Sequence, residues 1–466
     1  MENLYFPAVS IITVNYNGVR FLAGLFDSLS RLDYPAEKIE IIMVDNNSSD
    51  DSCEFVSRKY PNVKIIRSDK NKGYAGGNNA GFRIARGEYI ALINNDCTVE
   101  KQWLSGLVKT LLQQGATLKA GAAGSKVLFF YSYLLLEFNT GGMPLLVNDF
   151  IINNGEKCGK LGVCGPQENL CRSIRFISKC SPASRSSDGT VTSWTLNDGA
   201  VIAVPIADEN NDIALTMEIS NSADIAGELA VSLGEKERKA RIFSGQAQPE
   251  VSKIRLEIQK KYFDYKVDLV NSCGIEINRS FYARDRGADA VDAGQYNTAD
   301  EIFAPSGSSL LISRRMLDET GFFESSFFTY YEDVDLFWRA RLKGWKVFFC
   351  PESVARHHHC GTGVEWSPLF TYHVLKNRMI TIFRCGWCGI FTRSYFAFIA
   401  SAALAAAGCL RQAFHSKRCS RPDIPVRLRI IFEFFYLMPK NLISRIRIRS
   451  TKRIPDSEIK KFMTVF

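Results

Sequence analysis

The stretch NKGYAGGNNAGFRIARGEYIALINND, residues 71–96, decides the fold. Three glycines lie near its start, and a helical pattern follows them. The apolar run Tyr89–Ile93 then predicts a buried strand. That strand ends on Asn94, Asn95 and Asp96, so a lone carboxylate flanked by two amides stands at the tip of a buried element. Oxygen-bearing side chains in that position predict a ligand site at the end of the strand.

The glycine-rich loop before the helix points to the same site. Gly73, Gly76 and Gly77 allow the backbone to approach a ligand closely. The loop is not followed by GK[ST] and lacks the GxGxxG spacing, so it matches neither common nucleotide-binding fingerprint.

Strands and helices alternate on both sides of this stretch, over residues 8–130. VSIITVNY (9–16), KIEIIMVDN (38–46) and NVKIIRS (62–68) read as strands, and FLAGLFDSLSRL (21–32) reads as an amphipathic helix. This alternation predicts βαβ units with a parallel sheet, in which ligands bind beyond the carboxyl ends of the strands. The polar residues expected at that edge are Asn15, Tyr16, Asn17, Asp45, Asn46, Asn47, Asn94, Asn95 and Asp96.

Composition gives the broad class of the protein. The chain has 466 residues, of which 46% are hydrophobic and 23% charged, so it is an ordinary globular protein of two or three domains. The N-terminus shows no signal-peptide pattern, and the 13 cysteines are an odd number. We therefore expect reduced thiols in a cytoplasmic protein.

The texture of the sequence changes three times. Short β-patterned segments separated by Gly, Asn, Asp and Pro predict an antiparallel sandwich after the first α/β region. Mixed strands and helices then return, and a basic region follows. The predicted segments are 1–132 (first α/β region), 133–267 (inserted β-rich domain), 268–365 (second α/β region) and 366–466 (helical, basic tail).

The positive charge of the protein is concentrated at its end. Residues 411–466 hold 14 Lys and Arg against 4 Asp and Glu, a balance of +10, whereas the rest holds 44 against 45, a balance of −1. Apolar blocks interrupt these charges, which favours an anionic membrane surface over nucleic acid as the partner. The alternative is a solvated terminal helix packed on the body. We expect this tail to be removable without unfolding the rest.

The uncharged run Tyr395–Leu410 has 16 residues. A membrane-spanning helix needs about 20, so the run predicts a helix in the membrane interface or in the protein core. A short re-entrant hairpin is the alternative.

The ordered motifs of the chain resemble those of a known family. VSIITVNYNG, VDNNSSDDS, NKGYAGGNNAG and LINNDCTV, followed by the stretch at 294–359, are similar to family 2 glycosyltransferases of GT-A fold, in the bacterial rhamnosyltransferase-like branch. The resemblance covers residues 8–132 and 268–365. It implies an inverting transferase on the inner face of the cell membrane. The donor would be dTDP-rhamnose or a UDP-sugar, and the acceptor a lipid-linked or growing cell-surface polysaccharide.

The resemblance also assigns the donor site. Asp45 matches the residue that contacts the nucleoside, and Asn94-Asn95-Asp96 matches the metal-binding DXD-like motif with Asn in its first position. Metal binding then rests mainly on Asp96, with Mn²⁺ or Mg²⁺ as the cofactor. The implied donor-binding residues are Asn15, Tyr16, Asn17, Asp45, Asn47, Gly76, Asn78, Asn94 and Asn95.

Three carboxylates crowd the motif TYYEDVDLFWRARLKGW, residues 329–345. Glu332, Asp333 and Asp335 at a helix start suit the helix dipole, which is a structural explanation. Their mutual repulsion has a cost, and an inverting transfer needs one base to take the proton of the acceptor hydroxyl. By resemblance Asp333 is that base, and Glu332 is the second choice.

Three of the five histidines are adjacent, at 357–359. A histidine run can be a surface feature with no function. By resemblance His357 contacts the metal, and an imidazole beside one carboxylate suits Mn²⁺ better than Mg²⁺.

Other patterns leave alternatives open. Cys385 and Cys388 have CxxC spacing, and Cys158, Cys164, Cys171 and Cys180 cluster in the insert, but neither pattern matches a zinc site well. The insert has no counterpart in the family, and it would bind glycan, mediate dimerisation or brace the fold. A non-catalytic glycan-binding or assembly protein on a transferase scaffold, and a nucleotidyltransferase, are the rival functions.

Overall fold

The computed structural model describes residues 5–160, 170–185, 191–221, 227–234, 239–248, 250–359, 367–414 and 423–466. Its strands are β1 (Val9–Asn15), β2 (Ile39–Asp45), β3 (Val63–Arg67), β4 (Tyr89–Ile93), β5 (Cys97–Val99), β6 (Ala120–Asn139), β7 (Leu145–Asn154), β8 (Lys157–Lys160), β9 (Arg175–Arg185), β10 (Val191–Ile206), β11 (Ile213–Asn221), β12 (Gly227–Leu233), β13 (Ala240–Ala247), β14 (Ser252–Ile258), β15 (Val267–Ser272), β16 (Ile275–Asn278), β17 (Ala283–Asp285), β18 (Ser309–Ser313), β19 (Lys346–His357) and β20 (Met463–Thr464). Its helices are α1 (Val19–Leu29), α2 (Ser52–Lys59), α3 (Gly73–Ile84), α4 (Trp103–Gly115), α5 (Arg314–Thr320), α6 (Glu332–Leu342), α7 (Pro368–Cys385), α8 (Cys388–Phe414), α9 (Asp423–Ser450) and α10 (Asp456–Lys460).

A mixed central sheet positions the strand ends. Its order is β3-β2-β1-β4-β18-β6-β19, with β18 antiparallel to both neighbours and the other adjacent pairs parallel. The apolar strand interiors are buried on both faces: Ile11 packs against α1 and α4, while Ile12 packs on the side of α3. Asn15 pairs in register with Asp45, so the first two strands end together. The predicted α/β class is confirmed, and the antiparallel strand β18 makes the sheet mixed rather than wholly parallel.

The β-rich insert grows out of one long strand. β6 pairs with β18 along residues 122–124 and with β10 along residues 132–138. The predicted segment boundary after residue 132 therefore falls inside a continuous strand. β10 pairs with β6 at one end and with β7 at the other, which gives a sandwich-like arrangement. Its core, including Phe138, Phe150 and Leu215, is separate from the cores that flank the central sheet.

The C-terminal helices pack on the catalytic half. Ile430 and Phe434 of α9 are buried in the same core as Trp338 of α6, and β20 pairs with β16. The structure argues against removing 411–466 as a separable tail, because these contacts would be lost from the core. α8 runs unbroken through Tyr395–Leu410, and within it Cys388–Ala407 is long and apolar enough to cross a membrane, with 28% of that stretch buried.

Candidate active site

The ends of β1, β2 and β4 meet in one hydrogen-bonded cluster. The amide of Asn15 donates to Oδ1 of Asp45 at 3.2 Å and to Oγ of Ser48 at 3.1 Å, and its Oδ1 accepts from Asn95 at 2.9 Å. Ser48 in turn donates to Asp45 through its hydroxyl and its backbone N–H. The three strand ends expected to converge do so, and Ser48, which the sequence did not single out, connects them.

The neighbouring donor-site residues shape the turns after these strands. Asn17 and Asn47 have φ values of 49° and 66°, in the left-handed region that asparagine tolerates better than most residues. Oδ1 of Asn17 accepts from the backbone N–H of Ser49 at 2.7 Å. Tyr16 is 42% exposed, so its ring lies at the open edge of the cluster, where a ligand has access to it.

Gly18 lies against the cluster, which leads to a first prediction. A Cβ at this position would overlap Nδ2 of Asn95 and lie 2.6 Å from Oδ1 of Asn15. Gly18→Ala should therefore displace both side chains and lower kcat/KM for the transfer reaction that the resemblance implies by roughly 10- to 100-fold, because small misplacements of binding groups have effects of that size.

Gly115→Ala is the matched control, since a Cβ there meets nothing within 4 Å. It should leave kcat/KM unchanged. Equal kinetics for Gly18→Ala and the parent protein would show that the Asn15–Asn95 pair does not take part in the reaction.

Asp96 and His357 face each other across adjacent strands. Oδ1 of Asp96 lies 3.2 Å from Nε2 of His357, both residues are buried, and β19 pairs antiparallel with β5, which follows Asp96. Nδ1 of His357 lies 2.8 Å from Oδ1 of Asn271, an acceptor, which places the ring proton on Nδ1. Nε2 then faces a carboxylate oxygen, and the contact is favourable when either a proton on Nε2 or a divalent cation lies between the two atoms.

The environment of Asp96 favours the ionised form of its carboxylate. Burial opposes its charge, but the neighbouring His357 outweighs burial and lowers the pKa of Asp96 to about 2. In the described residues, Oδ1 of Asp96 accepts no hydrogen bond, so it is a buried oxygen in need of a partner.

Cys97 completes a group of three possible ligands whose donor atoms lie within 4.8 Å of one another. Its thiol lies in the apolar core, 3.9 Å from the carbonyl of Ser308, and burial raises its pKa well above the usual range. A neutral thiol is a poor ligand for a hard cation. The residues that fit a divalent cation are therefore Asp96 and His357.

The remaining donor-site residues have structural partners. Nδ2 of Asn94 lies 3.4 Å from Nε2 of His357. Asn78 donates to the carbonyl of Tyr74, one turn earlier in α3. A Cβ on Gly76 would lie 2.6 Å from Cβ of Lys72, so a glycine is required there for packing alone. Donor contacts by Asn78 and Gly76 stay predictions.

The three carboxylates of α6 occupy different environments. Asp333 is half-buried; its Oδ2 accepts from the N–H of Gly307 at 3.1 Å, and burial raises its pKa to about 6. Glu332 is buried, and burial together with the charge of Asp333 raises its pKa well above the usual range. Asp335 is fully buried and pairs with Arg339 at 2.8 Å. Asp333 combines partial exposure with a pKa close to neutral pH, which suits a proton acceptor, and the ion pair of Asp335 with Arg339 holds the helix in place.

A short segment before β18 connects Asp333 to the end of β4. Gly307 donates to Asp333 and accepts from the hydroxyl of Tyr74, and the carbonyl of Ser308 accepts from the N–H of Asn94 at 3.0 Å. The sequence patterns assign no role to this segment or to Asn271. The run of small residues SGSS (306–309), just before an apolar strand, was the available sign that the segment lies close to other backbone.

The other histidines and the cysteines have separate environments. The ring of His358 stacks on Phe130 at a centroid distance of 3.6 Å. The backbone N–H of His358 donates to the backbone carbonyl of Asp96. Cys385 is buried beside Asp335, whereas Cys388 is exposed. Cys164 lies outside the described residues. Among the described residues neither cysteine pattern forms a group of metal ligands.

The N-terminal third of the chain is similar in sequence to known glycosyltransferases. Residues 10–155 match the sequence model described as "Glycosyl transferase family 2". The chain is 30% identical over 118 residues to the glycosyltransferase AglE of Haloferax volcanii, covering 25% of this chain and 39% of AglE. It is 36% identical over 92 residues to a poly(ribitol-phosphate) beta-glucosyltransferase of Bacillus spizizenii, covering 19% of this chain and 14% of that protein. The matches therefore span well under half of these relatives' own length.

Two solved structures are similar over most of the chain. One is a mannosyltransferase, PcManGT, from Pyrobaculum calidifontis in complex with GDP-Man and Mn²⁺; it is 12% identical, with 95% of this chain and 88% of that chain covered and a TM-score of 0.40. The other is GalNAc-T7 with UDP, GalNAc and Mn²⁺; it is 12% identical, with 94% and 58% covered and a TM-score of 0.45.

Proposed function

We propose that this chain, whose residues 10–155 match the family 2 glycosyl transferase model, is a metal-dependent inverting glycosyltransferase. It moves a sugar from a nucleotide-sugar donor to a lipid-linked or growing cell-surface polysaccharide. The observation that carries the proposal is the facing pair of Asp96 and His357, with 3.2 Å between Oδ1 and Nε2, at the end of the strands that hold the Asn15–Asp45–Asn95 cluster.

The residues divide the work of the reaction. Asp45, Asn15 and Asn95 form the floor on which the nucleoside side of the donor rests, and Tyr16 offers an exposed ring beside it. Asp333 takes the proton of the acceptor hydroxyl as that oxygen attacks the anomeric carbon. The N–H of Gly307 donates to Oδ2 of Asp333, and this hydrogen bond fixes the orientation of the carboxylate.

Asp96 and His357 would hold a divalent cation, and Asn271 orients the ring of His357 through Nδ1. When bound, the cation neutralises the diphosphate of the donor and of the nucleotide product. A nitrogen ligand beside an oxygen ligand favours Mn²⁺ over Mg²⁺.

The donor is the least constrained part of the proposal. The rhamnosyltransferase-like motifs favour dTDP-rhamnose over a UDP-sugar, and the relative named as a poly(ribitol-phosphate) beta-glucosyltransferase favours a phosphate-rich polymer as the acceptor. A panel of nucleotide sugars tests both, with release of nucleoside diphosphate as the readout in the presence of Mn²⁺. Release from one donor above the rest supports the proposal. No binding and no release with every donor would favour the non-catalytic glycan-binding alternative.

We also propose that α9 places the enzyme at the cytoplasmic membrane surface. Its outward face carries large apolar side chains rather than polar ones, with Phe432, Tyr436 and Ile443 between 71% and 84% exposed. Arg429 and Lys440 are exposed on the same helix, and both pair with carboxylates of the protein. An apolar face flanked by cations is typical of a helix in the interface of an anionic membrane.

A triple substitution tests this contact without truncating the chain. Replacing Phe432, Tyr436 and Ile443 by Ser should weaken binding to anionic vesicles at least about tenfold, because the apolar area available for burial in the membrane is lost. Vesicle co-sedimentation measures the effect.

Val251→Ser is the control, because Val251 is an exposed apolar residue of the insert. It should bind vesicles as the parent does. If the triple variant also sediments like the parent, the membrane contact lies elsewhere, and α8 becomes the candidate.

A further inference from the structure

A second cavity lies away from the strand ends. It has a volume of about 250 Å³ and is enclosed by the segment 318–324, by α6, by Arg384 of α7 and by one face of α9. None of the predicted donor, metal or base residues lines it. Its volume is below the roughly 300–1,000 Å³ of pockets for drug-sized ligands, so it fits a small group rather than a whole nucleotide sugar.

Two of the four cations that line the cavity are used to hold its walls. Arg339 pairs with Asp335 and donates to the carbonyl of Phe322 at 2.8 Å. Arg384 pairs with Glu324 and lies 3.4 Å from Asp335. Both arginines are buried, so these contacts fix the shape of the cavity.

The acidic residues of the lining are mostly engaged by cations from outside it. Glu319 pairs with Lys119 at 2.8 Å and with Arg453 at 3.4 Å. Glu324 pairs with Lys440 at 2.7 Å, in addition to Arg384. The third acid, Asp318, is exposed. The carboxylates therefore do not balance the remaining positive charge.

That remaining charge belongs to Lys343 and Arg447. The ammonium group of Lys343 donates one hydrogen bond, to the backbone carbonyl of Glu319. In the described part of the chain, the Arg447 side chain makes no ion pair or hydrogen bond. Burial lowers the pKa of Lys343, and the charges of Arg453, Arg447 and Arg339 lower it further against the opposing charge of Glu319. Cations gathered in this way are stabilised by an anion.

The cavity opens beside the exposed apolar face of α9. Ser444, Arg447, Ile448 and Thr451 line it and follow helical spacing. With 3.6 residues per turn, Arg447 lies about 40° around the helix from Ile443, which belongs to the apolar face. A group bound to Arg447 would therefore sit next to the surface proposed to meet the membrane.

We infer that this cavity binds a phosphate monoester, held by Arg447 and Lys343 with the hydroxyl of Ser444 at its rim. Arginine and lysine suit phosphate oxygens, which accept several charge-assisted hydrogen bonds. The phosphate belongs either to the headgroup of an anionic lipid or to a small soluble compound. The inference is separate from the transfer reaction, and only its lipid source rests on the membrane contact proposed above.

Arg447→Glu and Arg393→Glu give a matched test. Both residues are exposed cations of the C-terminal helices, but Arg393 does not line the cavity. Titration calorimetry with glycerol phosphate should show binding to the parent and to Arg393→Glu, and about tenfold weaker binding to Arg447→Glu. Arg447 is exposed, so its replacement should not unfold the protein.

Vesicles identify the source of the phosphate. If the source is a lipid, the parent should prefer phosphatidylcholine vesicles that contain phosphatidic acid over vesicles of equal surface charge that contain phosphatidylserine. Arg447→Glu should lose this preference, whereas Arg393→Glu should weaken binding to both kinds of vesicle equally. If the source is a soluble phosphate, glycerol phosphate binds but the vesicle preference is absent.

The inference is overturned if the parent neither binds glycerol phosphate nor prefers phosphatidic acid, or if the two variants behave alike in both measurements. Neither measurement uses a nucleotide sugar. Failure of the inference and failure of the proposed transferase activity are therefore distinguishable.

Discussion

Asp333→Asn should lower kcat by about 100-fold or more, the usual scale for loss of a general base. The substitution keeps the size of the side chain and an oxygen that can accept from the N–H of Gly307, but the amide cannot take a proton. Donor binding should persist, because Asp333 lies on the acceptor side of the proposed reaction. Steady-state release of nucleoside diphosphate gives kcat, and calorimetry with the donor gives the dissociation constant.

Glu332→Gln is the matched control for this prediction. In the parent protein, burial and the charge of Asp333 raise the pKa of Glu332 well above the usual range. The substitution therefore replaces a neutral acid by a neutral amide, and most of kcat should remain. The parent should lose kcat/KM as the pH falls through about 6, because protonation removes the base. Asp333→Asn should lack this limb. A rate for Asp333→Asn close to that of the parent, or a larger loss in Glu332→Gln, would overturn the assignment.

Asp96→Ala should weaken Mn²⁺ binding by about 100-fold or more and lower turnover in parallel. Loss of a residue that merely orients a metal ligand costs 10- to 100-fold in affinity, and loss of a carboxylate ligand should exceed that range. Asn271→Ala, which releases the ring of His357, should fall within it. Electron paramagnetic resonance of Mn²⁺ with nucleoside diphosphate present measures binding independently of turnover.

Cys97→Ala tests the specificity of this effect. The thiol is close enough to be counted with Asp96 and His357, but burial keeps it neutral, so its removal should leave Mn²⁺ affinity unchanged. Excess EDTA should abolish turnover of the parent. Full turnover in the chelator would end the metal hypothesis, and equal losses in Cys97→Ala and Asp96→Ala would show that the measured effect is one of folding.

The sequence was sufficient where a local pattern determines the outcome. Apolar runs that end on polar residues predict the strands and their common edge, because the carboxyl ends of adjacent parallel strands lie at the same edge of the sheet. The meeting of Asn15, Asp45 and Asn95 follows from this rule alone.

The roles of neighbouring acids could not be read in the same way. Glu332, Asp333 and Asp335 are nearly equivalent in sequence, and their separation depends on burial and on partners far along the chain, such as Arg384 for Asp335. Asn271 and His357 are likewise 86 residues apart. The helical tail was predicted as a separate element because its composition is distinct, but composition does not reveal that Phe434 is buried in the same core as Trp338.

The position of β18 in the central sheet affects how the chain is synthesised. This strand fills the gap between β4 and β6, yet it is translated some 220 residues after β4. At 5–20 residues per second, the nascent chain waits roughly 10–40 s with two strand edges unpaired. The insert is translated during that interval, and it pairs with the far end of β6. A sandwich that folds on the ribosome would hold β6 in place until β18 arrives, so the insert would protect the unfinished sheet from pairing with other chains.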